Sequence, residues 1–319
     1  MKIIIISNLA VSLPVIDIFQ SSGSLLGVIS GDKLHSHNLQ LADFCLVKKI
    51  PFFKVGRKSL EESLHQLFID LEPDLVLMMG FTYRIPKALF NFPPLGFYNV
   101  HFSLLPAYQG PDPIFWQLKN GETLGGITIH RVNSDFDSGE IVLQQEIPFI
   151  RGENWGICNS RYALPALNLI KTLVNQLAET GAPLPYTPVG VKQSYFARTT
   201  PNDFIINWDI QTAAEIEALV NACNPLAGGA ITSINQQPVR IFEVSPVDGT
   251  GNAELPAGTV LQAGENGLFV QCINNSVIRI NILKLNEGFM TGFKLAALGI
   301  QAGACFESHQ LQLEELITS

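Results

Sequence analysis

The stretch KIIII at residues 2–6 decides the fold. A near-continuous run of β-branched residues is typical of a strand that is buried on both faces of a sheet. Strand and helix patterns alternate from there to about residue 100, with strands expected at 24–30, 52–55, 75–79 and 96–101 and helices at 11–20, 37–48 and 59–71. Ser59 is the expected N-cap of the last of these helices. The alternation predicts an α/β fold with a doubly wound, mostly parallel sheet.

The second half of the chain has a different pattern. It begins with strands expected at 125–132 and 141–147 and a helix at 154–179 that is broken at Pro165. Residues 180–191 then have the Pro- and Gly-rich composition of a linker. An extended piece at 204–208 and a helix at 212–224 lead into short strands at 229–234, 239–244, 258–263, 267–271 and 277–285. We therefore expect a Rossmann-like catalytic domain at 1–190 and a small, OB-like β-barrel domain with a leading helix at 203–319.

The composition excludes several classes of protein. Of the 319 residues, 47% are apolar and 15% are charged, which favours packed cores over disorder. A formal net charge of -8 argues against a long nucleic-acid interface. The five cysteines are scattered without CxxC spacing, which favours reduced thiols in a cytoplasmic protein and no metal site. No run reaches the roughly 18 apolar residues that a membrane span needs.

Three polar residues carry the chemistry that the pattern suggests. Asn99 and His101 lie where the predicted fifth strand ends, and Asp137 lies in a turn 36 residues after the histidine. An amide, an imidazole and a carboxylate can serve an acyl transfer as oxyanion donor, acid/base and orienting charge. A buried structural histidine and a turn-capping aspartate are the alternative interpretations. No GxGxxG or GxxxxGK motif is present, which argues against nicotinamide and ATP chemistry.

The motifs resemble a known family. YNVHFSLLPAYQGPDP at 98–113, followed by DFDSGEIVLQ at 135–144, is similar to the formyltransferases that use N10-formyltetrahydrofolate. This family includes methionyl-tRNA, glycinamide ribonucleotide and sugar N-formyltransferases. Its motif is Asn-X-His, then SLLP, then an aspartate at this distance. The C-terminal part of the chain also resembles the C-terminal domain of methionyl-tRNA formyltransferase.

The resemblance implies an N-formyltransferase with N10-formyltetrahydrofolate as co-substrate and no metal. The formyl group would pass to an amine by direct attack, through a tetrahedral intermediate. Asn99 would donate its amide to the formyl oxygen, and His101 would bind or protonate that oxygen. Asp137 would hold the imidazole or an ordered water and so support removal of the proton from the amine.

Two loops are expected to hold the pterin of the co-substrate. In the family, the loop after the fourth strand meets the pterin largely through backbone groups, and the turn before Asp137 lines the other side. The resemblance assigns the pterin contacts to Gly80, Tyr83, Arg84, Ile85, Asn133, Ser134 and Asp135. A turn role is an equal interpretation for Asp135, and His130 is expected to pack in the core or to support the site.

The acceptor is expected to be a small or carrier-bound amine, such as an amino sugar or an amino acid. Members acting on initiator tRNA usually read SLLPRxRG and carry a basic insertion after the second strand. This chain has Ala107 and Gln109 at the two arginine positions, and residues 30–44 hold one lysine and two aspartates. Each missing cation removes a phosphate contact that tRNA binding would use. By position alone, the expected acceptor contacts are Ser103, Gln109 and Asp112.

Three other functions remain open. They are a methionyl-tRNA formyltransferase with a reduced electropositive surface, a formyltetrahydrofolate hydrolase, and a folate-binding regulatory module without catalysis. The C-terminal barrel would serve packing, homodimer formation or acceptor docking.

Overall fold

The computed structural model describes residues 1–32, 36–184 and 186–308. Contacts between Cα atoms divide the chain into two compact units. The first unit comprises Met1–Pro113, Leu124–Pro148 and Asn159–Ala197. The second comprises Ile114–Thr123, Phe149–Cys158 and Arg198–Ser319, of which residues 309–319 lie outside the described part.

The first unit is built on a seven-stranded sheet. Its strands are β1 Ile3–Ser7, β2 Leu25–Gly31, β3 Phe52–Val55, β4 Leu75–Met79, β5 Phe97–His101, β6 Leu124–Arg131 and β7 Ile141–Pro148. They lie in the order β3-β2-β1-β4-β5-β6-β7, with β1 to β5 parallel and the last two antiparallel. All five residues of β1 are buried, as the isoleucine run predicted. The predicted fold class is confirmed, and the carboxyl ends of parallel strands form the edge where such sheets bind ligands.

Eight α-helices lie in the described parts of the two units. They are α1 Leu13–Ser21, α2 Ser36–Lys48, α3 Leu60–Leu71, α4 Pro113–Lys119, α5 Trp155–Arg161, α6 Ala163–Thr180, α7 Ala213–Cys223 and α8 Gly292–Ala297. None of the helices in the described part of the chain combines the length and the apolar character that crossing a bilayer requires.

Of two predictions about helices, one is confirmed in position and the other is wrong. Ser59 is the N-cap residue of α3 as predicted, but its side chain makes no capping hydrogen bond; the first turn also carries two glutamates, which interact favourably with the positive end of the helix dipole. The break in the long helix falls at Tyr162, between α5 and α6, and not at Pro165. Pro165 lies in the first turn of α6, where a residue without an N–H group costs no intrahelical hydrogen bond.

The second unit contains a curled antiparallel sheet. Its strands are β8 Ala230–Ile234, β9 Gln237–Val247, β10 Val260–Gly264, β11 Gly267–Gln271, β12 Val277–Leu285, β13 Gly288–Thr291 and β14 Phe306–Glu307. The order is β10-β11-β12-β9-β8-β14, and β13 pairs with β12. A bridge between Thr259 and Cys305 joins the two ends of this order, which is the closure expected of a small barrel.

Two details of the second unit differ from the prediction. In the extended piece expected at 204–208, Phe204 is the last residue of a 3-10 turn at Pro201–Phe204, and Ile205 is extended and forms a single β-bridge to Ile231. The sequence patterns also did not indicate β13, α8 or β14, which are short and partly exposed.

Candidate active site

The site is built on the end of β5, next to the edge where the parallel strands stop. Asn99 and His101 are two residues apart in this strand, so their side chains lie on the same face of the sheet. Strand β6 runs antiparallel beside β5 and places His130 directly opposite Asn99. All three side chains are more than nine-tenths buried.

Asp137 completes a cluster of four polar side chains. It lies in the turn between β6 and β7, in a left-handed backbone conformation with φ of 50°. Its Oδ1 atom is 3.2 Å from Asn99 Nδ2, 3.6 Å from His101 Nδ1 and 3.4 Å from His130 Nε2. The structure therefore brings together the three residues that the motif predicted, and it adds a second histidine.

His130 is the member of the cluster whose position the sequence did not give. The only signal was a histidine at the end of the apolar run GGITI. Its place opposite Asn99 follows from the antiparallel register of β5 and β6, which the sequence does not show.

Main-chain carbonyls fix the proton positions on both imidazole rings. His101 Nε2 lies 2.8 Å from the Tyr108 carbonyl oxygen, and His130 Nδ1 lies 2.9 Å from that of Arg131. A carbonyl oxygen can only accept, so these two ring nitrogens carry hydrogens. In a neutral ring, His101 Nδ1 is then unprotonated and faces the carboxylate of Asp137.

Burial and contacts set the charge state of the pair. Burial lowers the pKa of His101 by more than the Asp137 charge and the Tyr108 carbonyl raise it. Burial raises the pKa of Asp137, but the two histidines and the Gly110 N–H outweigh this effect and hold that pKa well below its usual range. A neutral imidazole beside an ionised carboxylate can take up one proton from a reacting group.

The loop at residues 104–112, which we call the proline loop, lies against Asp137. The Gly110 N–H donates to Asp137 Oδ2 at 2.9 Å, and Gln109 Nε2 donates to the Asp137 carbonyl at 2.9 Å. Three residues of this loop, Tyr108, Gly110 and Asp112, have positive φ angles. The turn that carries Asp137 is therefore held by a loop that precedes it by about 27 residues.

The expected acceptor residues have different environments. Ser103 is fully buried and its hydroxyl donates to the Ala107 carbonyl at 2.7 Å. Gln109 is 5% exposed and its amide is bonded at both ends. Asp112 is half-buried on the proline loop. A direct role of these three residues in acceptor binding stays a prediction.

The two loops assigned to the pterin approach each other. Gly80 directly follows β4 and has φ of +60°, and a Cβ there would lie 2.2 Å from Leu9 Cδ1, so another residue would be strained and would have to displace the Leu9 side chain. Arg84 is exposed, with its guanidinium 4.0 Å from the Asp135 carboxylate and 5.3 Å from the centre of the Phe136 ring. These contacts join the β4 loop to the turn before Asp137.

Other residues assigned to the pterin have contacts of their own. The Tyr83 hydroxyl donates to Asp32 Oδ1 at 2.5 Å, and this bond raises the pKa of Tyr83. Tyr83 lines an open cavity of about 530 Å³ beside the end of β2. Ile85 packs in the apolar core.

The turn before Asp137 is held by its own polar groups. Asn133 Oδ1 accepts from the Asp135 N–H at 3.2 Å and from the Ser138 hydroxyl at 3.3 Å. Ser134 is exposed between them. Asp135 thus has a turn contact through its backbone, while its carboxylate faces Arg84. The assignment of all these residues to a pterin site stays a prediction.

Comparison with known proteins identifies the family. The family described as formyl transferase matches residues 33–171, and the family described as formyl transferase, C-terminal domain, matches residues 198–294. A methionyl-tRNA formyltransferase of Syntrophus aciditrophicus is 32% identical over 234 residues, which cover 71% of this chain and 73% of the relative. The chain belongs to the formyltransferase family.

Further formyltransferases cover most of the chain. The methionyl-tRNA formyltransferase of Ruminiclostridium cellulolyticum is 27% identical over 87% of this chain and 90% of its own length. Two solved structures share the fold at 18% identity, each covering 88% of this chain. One is WlaRD, a sugar 3N-formyl transferase solved with dTDP and 5-N-formyl-THF, with a TM-score of 0.63 over 97% of its chain. The other is an N-formyltransferase from Helicobacter canadensis, with a TM-score of 0.64 over 98% of its chain.

Proposed function

We propose that this formyltransferase moves a formyl group from N10-formyltetrahydrofolate to the amine of a small or carrier-bound substrate. The observation that carries the proposal is the buried cluster of Asn99, His101 and Asp137 at the end of β5. It contains the hydrogen-bond donors and the proton acceptor that formyl transfer to an amine requires. Within the described residues, no group of three or more His, Cys, Asp or Glu side chains could hold a metal ion.

The β4 loop suits a pterin co-substrate. The main-chain N–H and C=O groups of residues 81–85 make no hydrogen bond to any described residue. Buried Tyr83 and Ile85 lie in the same loop. Backbone donors and acceptors beside apolar side chains match a flat heterocycle that carries both kinds of group. N10-formyltetrahydrofolate would supply the activated formyl group.

Each member of the cluster can have a separate role in the reaction. Asn99 Nδ2 lies within hydrogen-bond distance of Asp137 Oδ1 and His130 Nε2, and it turns one hydrogen to the formyl oxygen, where negative charge develops. Losing one such donor costs about 10²–10³ in rate. His101 becomes the second donor when its Nε2–H leaves the Tyr108 carbonyl. Asp137, together with His101 Nδ1, receives the proton that the attacking amine gives up. This proton passes to N10 as the bond between N10 and the formyl carbon breaks and tetrahydrofolate leaves.

We propose a small acceptor because the arginines at the rim of the site already pair with carboxylates of the protein. Arg84 lies 4.0 Å from Asp135, and Arg131 Nε lies 3.1 Å from Glu140 Oε2. Residues 107 and 109 of the proline loop are alanine and glutamine. A nucleic-acid backbone would have to compete with Asp135 and Glu140 for the arginines.

A second candidate is methionyl-tRNA formyltransferase. It is favoured by the names of the relatives at 27–32% identity, one of which matches over 87% of this chain. The two candidates share the donor, the cluster and the chemistry, and differ in the acceptor.

Release of tetrahydrofolate from N10-formyltetrahydrofolate, measured with a panel of acceptors, tests the proposal. The panel contains nucleotide-linked amino sugars, ornithine, lysine and methionyl-tRNA. We expect turnover with at least one small amine, at a KM that changes little between 50 and 200 mM salt. A tRNA acceptor would instead lose affinity steeply over this range, by about 10³ or more if six phosphates are contacted.

The same assay distinguishes the remaining alternatives. Turnover with methionyl-tRNA alone would overturn the small-amine proposal and support the second candidate. Formate release without any acceptor would identify a hydrolase. Binding of the folate without turnover in any mixture would contradict catalysis altogether.

A further inference from the structure

The position of Asp137 depends on a chain of hydrogen bonds that begins outside the cluster. Asp137 has a left-handed backbone, and the residues on either side of it in the turn are exposed. Its own turn therefore gives little packing support. Besides the contact of Asn99 with Oδ1, the side chain is held by Gly110 through Oδ2, and the main chain is held by Gln109 through the carbonyl.

Gln109 is hydrogen-bonded to a second glutamine. Its Oε1 accepts from Gln193 Nε2 at 3.0 Å, while its Nε2 donates to the Asp137 carbonyl. The Asp137 carbonyl can only accept, so the NH₂ end of the Gln109 amide must face it. Gln193 is exposed and Gln109 is buried, so a surface residue completes the hydrogen bonds of a buried amide whose orientation the Asp137 carbonyl sets.

Residues 193–196, which we call the strap, hold the proline loop through main-chain bonds. Gln109 N–H donates to the Ser194 carbonyl and Phe196 N–H donates to the Gln109 carbonyl, both at 2.9 Å. Ser194 N–H donates to the Pro106 carbonyl at 3.1 Å. These bonds place Gln109 in a short parallel pairing with Tyr195.

Side chains reinforce the same contact. The Tyr108 N–H donates to Ser194 Oγ at 2.9 Å. The rings of Tyr108 and Phe196 stack, with centroids 4.9 Å apart and planes 8° from parallel. The Tyr108 carbonyl accepts from His101, so Tyr108 connects the strap to His101 in the way that Gln109 connects it to Asp137.

We propose that Gln109 and Gln193 are positioning residues of the formyl-transfer site, acting through Asp137 and not on the acceptor. The inference rests on the proposed function for its kinetic effect, but the coupling to Asp137 exists in the protein alone. Gln109 is an uncharged amide. It places Asp137 without adding a positive charge, so the carboxylate stays available to the proton.

Kinetics of Gln109→Ala, Gln193→Ala and the double variant test the role. We expect kcat to fall about 10- to 100-fold for Gln109→Ala, because small displacements of a reacting group have effects of this size. For exposed Gln193, the loss of one hydrogen bond predicts a fall of about 2- to 5-fold. The double variant is expected to be no worse than Gln109→Ala, since both act on one contact. The KM for the amine is expected to stay within about twofold of wild type, because neither glutamine contacts the bound amine in this proposal.

A spectroscopic measurement tests the coupling without any acceptor. The chain has six histidines, so the ring resonances of His101 can be assigned by comparison with His101→Gln. The Asp137 charge raises the pKa of His101, so releasing Asp137 should lower the pKa of His101 in Gln109→Ala and, to a smaller extent, in Gln193→Ala. Gln144→Ala is the matched control. Gln144 Nε2 holds the same loop at the Leu105 carbonyl, 2.9 Å away, without touching Asp137, so His101 should titrate as in wild type.

Two results would overturn the inference. One is an unchanged His101 titration in Gln109→Ala, measured on protein with a wild-type unfolding transition. The other is a raised amine KM at unchanged kcat, which would make Gln109 an acceptor contact. If wild-type protein formylates no amine, the proposed function fails, and the titration alone then decides the coupling. Gln193 is exposed, so its variant keeps the test valid if Gln109→Ala fails to fold.

Discussion

Asp137→Asn is expected to lower kcat for formyl transfer by about 10²–10⁴, the range typical for loss of a group that handles protons. The asparagine keeps an oxygen for the Gly110 N–H, so the turn keeps its anchor. It loses the charge beside His101 and the capacity to take the proton from the amine. Single-turnover formyl transfer with the best acceptor is the measurement. Asp70→Asn, at an exposed position on α3, is the control and should retain wild-type activity.

The same substitution should change the pH dependence of stability. The folded-state pKa of Asp137 is lower than its unfolded value, so its stabilising effect is complete above that unfolded pKa, which is about 3.9. The effect is lost as the pH falls towards the depressed folded pKa. Wild type should therefore have a larger free energy of urea unfolding than Asp137→Asn at pH 7, with a smaller difference at pH 3. An equal difference at both pH values would contradict the lowered pKa.

Gly110→Ala is expected to remove most activity and to destabilise the first unit. Gly110 has φ of +99°, and a Cβ there would lie 2.2 Å from the Phe196 carbonyl oxygen. A left-handed conformation costs a non-glycine residue about 1–3 kcal/mol, and the clash forces the proline loop away from the strap. The Gly110 N–H then moves away from Asp137. We expect kcat to fall by about 10²-fold, as misplacement of a reacting group by about 1 Å predicts.

Gly121→Ala separates the effect of backbone strain from the effect of the clash with the strap. Gly121 also has a positive φ, of +69°, but nothing lies within 4 Å of the position that a Cβ would take. It should lose about 1–2 kcal/mol of stability for backbone strain alone and keep its activity. Thermal unfolding and the tetrahydrofolate-release assay measure both variants. Equal effects in the two would show that contact with the strap is unimportant.

The elements that were predicted well from the sequence have patterns that are local or that repeat along the chain. The strand at residues 52–55 and the strand at 75–79 have the predicted bounds, because apolar runs flanked by turn residues define them within a few positions. The break at Tyr162 was missed because the sequence does not show where α6 begins. Pro165 lies in the first turn of α6, where proline is compatible with a helix. The short β14 was missed because two residues carry no periodic pattern.

The sequence by itself determined the sheet architecture and the three residues that we propose as reacting groups. The β-branched run at residues 2–6 and the alternation after it require a buried parallel sheet, and Asn99, His101 and Asp137 carry the family motif. Only the tertiary structure decided that His130 lies opposite Asn99, and that Gln109 holds Asp137 while Gln193 holds Gln109. Gln109 and Asp137 are 28 positions apart in the chain, and Gln109 and Gln193 are 84 positions apart. These contacts depend on strand register and loop conformation, and no periodicity in the chain specifies either.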